Sequence, residues 1–413
     1  MTSRVNATFG RAKGADKLGH LALVNGRLID GTDRPATSSA TILSEDAILT
    51  AVGPTADVSL PEGCRVIDLQ GRTVLPGLID GHMHVTSMPG MMDKTANLQA
   101  QLRASEILRE CLCWGTTTVG HAGGCEENLV LRDMINKATL KGRARLLVSG
   151  VVTATGGHVR GKGADGPWEI RKMARQMALA GMDFYKTCAT GGFQWAHEGL
   201  GTPDYSLEEL QALVEEAQMR NRKVHVHAHA QPGIQNAIEA GCDVILHGAD
   251  IDSTALQGIA SRGLTYMPTL YITSEHIWGS GSLPEHMVGR MKAACKPHRE
   301  GVAQARELGI TVATGTDGGP RPGALMHELC ELVGCGFTPQ EAIVSATRNT
   351  AEALGVGERL GTLEPGKLAD CIVIEPDPMA DISVLTSQES IALVVKEGRV
   401  EIDRLPAEAG GVE

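Results

Sequence analysis

Two kinds of apolar pattern divide the chain. Near its start, residues 21–29 and 40–52 are apolar or alternate apolar with polar, and turns at Asn25-Gly26, Asp30-Gly31 and Gly53-Pro54 punctuate them. A period of two marks a strand with one buried face. Near its end, residues 370–374 and 391–402 are rich in β-branched side chains, the second run broken at Glu397-Gly398. The two ends are expected to build one small β-sandwich together.

The middle differs. Short apolar runs at 78–84, 116–121, 145–153, 183–188, 224–229, 243–247, 264–271 and 311–317 alternate with helical stretches. Such alternation predicts a parallel sheet, and eight units in about 250 residues predict a closed (β/α)8 TIM barrel. Helix starts are marked by Ser206-Leu-Glu-Glu209 and by Thr338-Pro-Gln-Glu341, both capping boxes. No Gly-x-Gly-x-x-Gly follows the first run, which disfavours an open nucleotide-binding sheet. The expected division is 1–76 and 357–413 for the α/β protein's β-sandwich, and 77–356 for the barrel. Residues 272–300 exceed what a barrel loop needs and leave room for a lid.

Composition narrows the partners. Lys plus Arg number 38 against 49 Asp plus Glu, a formal charge of −11. That balance disfavours a nucleic-acid partner, which calls for clustered basic residues. No apolar run reaches the ~20 residues of a membrane span, and the polar stretch 1–17 predicts no leader. The ten cysteines are scattered singly, as suits reduced thiols in a cytoplasm. A small molecule is the expected partner.

Candidate chemistry gathers at the ends of the predicted strands. In Asp80-Gly-His82-Met-His84, strand period places both imidazoles on one face, where they can share a metal. In Val224-His-Val-His-Ala-His229, His225, His227 and His229 share one face, and Val224, Val226 and Ala228 the other. Three rings in a row demand polar partners or a metal, and one or two of them can serve as mere neighbours. His247 ends the sixth run. Asp317 ends the eighth and can ligate a metal or take a proton, or simply cap the turn beside two glycines. Lys186 lies in the fourth run. There an ammonium is costly unless paired, and a carbamylated lysine would supply a bridging carboxylate instead.

Together these residues resemble the amidohydrolase superfamily over nearly the whole chain. Val74-Leu-Pro-Gly-Leu-Ile-Asp-Gly-His-Met-His84 is similar to the motif that opens its barrel, and Leu363-Glu-Pro-Gly-Lys-Leu-Ala-Asp370 to the return into its β domain. The resemblance implies a metal set of His82, His84, Lys186, His227, His247 and Asp317. It holds two divalent ions, zinc first among them, bridged by carbamylated Lys186, with Asp317 and Lys186 as catalytic groups. His227 is preferred over its neighbours because His227-Ala-His-Ala-Gln-Pro-Gly-Ile234 resembles the family's ligand stretch.

Thr155-Gly-Gly-His158, Lys186-Thr-Cys-Ala-Thr-Gly-Gly192 and Gly241-Cys-Asp-Val-Ile-Leu-His-Gly248 resemble the branch of Xaa-Pro dipeptidases and carboxypeptidases, which includes imidazolonepropionase-like and ochratoxin-hydrolysing enzymes. That implies a hydrolase of an amide or peptide bond in a small substrate, such as a dipeptide or N-acyl amino acid, and a homo-oligomer. His158 and His229 would contact a substrate carboxylate or carbonyl, and Arg160 an anionic substrate. Trp168, Phe193, Trp195, Tyr266 and Tyr271 are candidates for an apolar pocket, with Tyr271 taken as a substrate contact. His121 stands where relatives often carry Asp. A mononuclear imidazolonepropionase or deaminase is the rival, disfavoured by Ala230 and by Lys186. A non-catalytic metal-binding barrel acting as an assembly protein is the rival from another class, disfavoured because all six ligand positions are filled.

Overall fold

The computed structural model describes residues 17–86, 94–317 and 321–406. The expectation of no leader falls on residues outside these, apart from Lys17.

Both ends contribute to one mixed sheet. Its strands are β1 (His20–Leu28), β2 (Thr37–Glu45), β3 (Ile48–Pro54), β4 (Arg65–Asp68) and β5 (Thr73–Pro76), with the late strands β13 (Cys371–Ile374), β14 (Ile391–Lys396) and β15 (Arg399–Asp403). The order is β15-β14-β13-β5-β1-β2-β3, with β4 also on β1. The expected sandwich of two sheets is therefore one hydrogen-bonded sheet. Strand β1 accounts for the difference, because it is shared. Leu21–Val24 pair in parallel with Arg65–Asp68, whereas Arg27 and Leu28 pair with Thr73 and Val74. One face buries Leu23, Ile42, Leu49, Val74, Val373 and Leu393 in a single cluster.

The middle forms a curled, seven-stranded parallel sheet: β6 (Leu78–Met83), β7 (Thr116–His121), β8 (Arg145–Val151), β9 (Phe184–Cys188), β10 (Val224–Ala228), β11 (Val244–His247) and β12 (Thr265–Met267), in sequence order. Helices connect the strands, among them Gly166–Ala180 and Leu207–Met219. Both capping boxes form, at Ser206 with Glu209 and at Thr338 with Glu341. Val224, Val226 and Ala228 of β10 are buried in the cluster shared with the helices.

The expected eighth strand does not form, and among the described residues the sheet is curled and TIM-barrel-like without a closed barrel. Within 311–317 only Val312 makes a bridge, to Tyr266. The segment nevertheless bonds to both edge strands. Tyr266 donates to the Thr311 carbonyl at 2.9 Å, and Gly81 donates to that of Thr314 at 2.9 Å. Thr316 and Asp317 both donate to the His82 carbonyl. Asp317 has a φ of 48°, in the left-handed region, which ends any extended run there.

A buried ion cluster ties the two sheets. The fully buried Arg145 of β8 reaches Asp370 at 2.6 Å and Glu397 at 2.7 Å, and donates to Thr118 at 2.8 Å. Segment 272–300 is largely ordered structure rather than a loop. A short 3-10 turn at Leu270–Thr273 and one helical turn at Glu275–Trp278 lead into the long helix Glu285–Glu307. All ten cysteines are free thiols. Among the described residues no helix is long and apolar enough to cross a membrane.

Candidate metal centre

Strand parity decides which side chains meet at the C-terminal edge of the curled sheet. His82 is the penultimate residue of β6 and His84 follows the strand, both on the inward face. Their Nε2 atoms lie 3.2 and 3.0 Å from Asp317 Oδ1, and His247 Nδ1 lies 3.9 Å from Asp317 Oδ2. Among the described residues these three, His82, His84 and Asp317, offer ligand atoms within 4.8 Å of one another. On the adjoining side the rings of His227, His229 and His247 are mutually packed, with centroids 4.5 to 4.9 Å apart. The His82 ring links the groups, 5.3 Å from that of His247.

The buried rings are short of hydrogen-bond partners. Neither nitrogen of His82 has one, its approach to Asp317 being misaligned, and His247 Nε2 and His229 Nδ1 have none. Buried polar atoms are nearly always satisfied, so unpaired ring nitrogens beside the Asp317 carboxylate fit a cation as the missing partner. Burial, and next the nearby Lys186, push the His82 ring down to about 3, so it is a neutral donor at neutral pH. Burial alone would raise the Asp317 carboxyl, but the His82, His84 and His247 rings outweigh it and hold the group well below the usual range. Neutral imidazoles around an ionised carboxylate are a donor set for zinc, manganese or cobalt.

Lys186, on β9 beside His225 of β10, is buried at 3% exposure. Burial lowers its basicity, and no ion pair to it forms among the described residues. His225 points deeper, bonds the Ala353 carbonyl at 2.9 Å through Nε2 and packs on Phe184, while its Nδ1 has no partner. His121 bonds Met83 and Thr86 of the adjoining loop.

The centre opens into a cavity of about 520 Å³. His158, His229 and Arg160 line it, along with Phe193 and Trp195. Tyr271 does not line it; it packs behind the wall, in one apolar cluster with Phe193, Ile272, Ile277 and Met291, with its ring near His276 and His327. Of the other aromatics, Tyr266 is buried and donates to the His247 carbonyl at 2.8 Å, and Trp168 is exposed.

Several cavity residues gave no sequence signal. Glu198 Oε1 lies 2.7 Å from His158 Nδ1 and accepts from Gly192 N at 3.1 Å. The His158 ring stacks on His227 at 4.2 Å. Leu283, Met287 and Met291, spaced by four, form an apolar wall with Ile272 and Ile277, and Arg321 stands at the rim. Four-residue spacing on 283–291 was the one trace of this wall in the sequence.

A cluster of buried imidazoles and a carboxylate at the C-terminal edge of a curled parallel sheet, beneath a cavity, is the kind of arrangement that metal-assisted hydrolases use. The chain belongs to the amidohydrolase family, whose model matches residues 73–400. It is a hydrolase acting on carbon–nitrogen bonds, in a family that generally uses metal ions. It is 28% identical to the ochratoxinase of Aspergillus niger over 415 residues, covering 91% of this chain and 85% of that one. It is 25% identical to an imidazolonepropionase of Porphyromonas gingivalis over 418 residues, covering 91% and 92%. The crystal structure of a Xaa-Pro dipeptidase with methionine bound in its active site superposes with a TM-score of 0.82 at 29% identity, covering 92% of this chain and 99% of that one.

Proposed function

We propose that this protein is a binuclear metal-dependent amidohydrolase that cleaves the amide of a small substrate, an N-acyl amino acid or dipeptide. The observation that carries the reading is the convergence of unpaired ring nitrogens, the Asp317 carboxylate and a buried, unpaired Lys186 at the floor of one cavity. His82, His84 and Asp317 would hold one ion, and His227 and His247 the other. Carbamylated Lys186 would bridge them. A buried ammonium without a counter-ion is costly among so many donors, and carbamylation turns it into an anion that suits two cations. The proposed 77–356 barrel supplies these ligands, and the proposed β domain of 1–76 and 357–413 packs beside it. Reduced cysteines fit a cytoplasmic setting.

Two bound ions would supply Lewis acidity to the carbonyl and acidify water. Asp317, held ionised by its rings, would take a proton from the attacking water and return it to the leaving amine nitrogen. His158 and His229 would orient the scissile amide. Arg160 and Arg321 form no ion pair among the described residues, and would receive a carboxylate on the amine half at the rim. The Leu283, Met287 and Met291 wall would take the acyl half. Methionine adapts to irregular and aromatic shapes, which fits ochratoxin-like as well as prolyl amides.

The test is metal content and hydrolysis of N-acyl amino acids by the zinc-reconstituted protein and its Lys186→Ala variant. Two ions per chain and chelator-sensitive turnover are expected for the first, and at most one ion with turnover lowered at least a hundredfold for the variant. Full zinc content and full rate in Lys186→Ala would remove the bridge.

A further inference from the structure

His247 can present either nitrogen to a metal, and only the pattern of hydrogen bonds behind it decides which. Its Nδ1 lies 2.7 Å from the hydroxyl of Thr269. That hydroxyl donates its single proton to the Pro268 carbonyl at 2.6 Å. It therefore has only lone pairs left for His247, so Nδ1 must carry the ring proton and donate. The lone pair is thereby forced onto Nε2, the buried atom that has no partner.

Thr269 is an unlikely residue for its place. It is fully buried, with a φ of 53°. A β-branched residue there is strained by about 1–3 kcal/mol. The strain persists because the next turn is pinned. The buried carboxyl group of Glu328 accepts from Leu270 N at 2.9 Å through one oxygen and from Tyr271 N at 2.7 Å through the other.

We infer that Thr269 and Glu328 are positioning residues for the metal centre: Thr269 fixes the tautomer of His247, and Glu328 holds the 269–271 turn that puts the Thr269 hydroxyl in place. This rests on the proposed metal site but assigns two residues that touch neither metal nor substrate. Glycine would be unstrained at this position but has no hydroxyl to set the ring.

The experiment measures zinc affinity of the apo-protein by chelator competition, alongside thermal unfolding of the same apo-protein. Loss of such an outer partner typically weakens metal binding about 10- to 100-fold. Thr269→Gly relieves the backbone and should leave apo stability equal or higher, yet lose affinity by that factor. Thr269→Val should lose both. Thr269→Ser, which keeps the hydroxyl, should bind within about threefold of the parent. Glu328→Gln offers one acceptor oxygen in place of two and should fall between. Thr269→Gly with unchanged zinc affinity would overturn the inference. A parent protein that binds no zinc would instead sink the proposed metal site, so the two failures are distinguishable.

Discussion

Replacing Gly192 with alanine tests whether the stacked His158–His227 pair is part of the working site. A Cβ at Gly192 would fall 2.6 Å from His158 Cε1, 3.2 Å from His158 Nε2 and 3.2 Å from His227 Cε1. The backbone there is not left-handed, so alanine is sterically permitted by φ and the effect is confined to the rings. Carbon contacts settle at about 3.5–4.0 Å, so His158 must retreat by about 1 Å. That retreat breaks its 2.7 Å bond to Glu198, because Glu198 is itself fixed by the Gly192 amide. A hydrogen bond to a charged group contributes about 1.5–3 kcal/mol, roughly a 10- to 150-fold change in rate or affinity. Displacement of a substrate-positioning group by ~1 Å has a similar cost. Steady-state kinetics on an N-acyl amino acid should show kcat/KM reduced within that range, with zinc content unchanged if only His158 moves. Glu198→Gln should lose less than Gly192→Ala, since the amide oxygen can still accept from His158. Undiminished kcat/KM in Gly192→Ala, in a folded and metal-loaded protein, would show that His158 has no part in substrate positioning.

Two other perturbations probe distinct features. Arg145→Met strands Asp370 and Glu397 in the interior and should cost about 3–5 kcal/mol in urea unfolding, whereas making all three positions apolar should return most of it; a loss under ~1 kcal/mol for Arg145→Met would show that the cluster is not what joins the sheets. Met291→Ala widens the apolar wall, and should shift kcat/KM toward bulky aromatic acyl groups over acetyl by about tenfold or more; an unchanged ratio would place the acyl half elsewhere.

Much of the centre was legible because its residues sit on strands. Period two alone separates His225, His227 and His229 from Val224, Val226 and Ala228, and the structure buries the latter set against helices. The same rule set His82 and His84 on one face. What it could not decide was depth along the strand, and so His225, which bonds Ala353 away from the cavity, was indistinguishable from His227. The groups that orient ligands come from turns. Thr269, Glu198 and Gly192 act through a hydroxyl, a carboxylate and an absent side chain, and each type is common in loops for other reasons. Strand β4 was missed because three of its four residues are exposed or charged, leaving no alternation to read. The 311–317 run was over-read: it is apolar enough for a strand, but a period says nothing about a residue that must turn left-handed at its end.

That left-handed turn is not isolated. His247, Thr269 and Asp317 all have positive φ, at 70°, 53° and 48°, and all three stand at or just past the ends of neighbouring runs around the cavity. The other non-glycine residues of this kind include Asn25, Asp46 and Asn221, of types that tolerate turns. Histidine and aspartate enter this region more readily than most residues, so the strain is concentrated at the β-branched Thr269, about 1–3 kcal/mol. A domain stable by only ~5–15 kcal/mol keeps such strain only if surrounding bonds over-determine the backbone. They do so here. Tyr266 holds the His247 carbonyl, the His82 carbonyl accepts the Asp317 amide at 2.7 Å, and Glu328 holds the turn after Thr269. Each clamp comes from a different element, so no local sequence specifies the geometry. The strained conformation brings the three side chains toward one point, where a strand continued in extended form would carry them past it, and the curled sheet supplies the rigidity that makes this affordable.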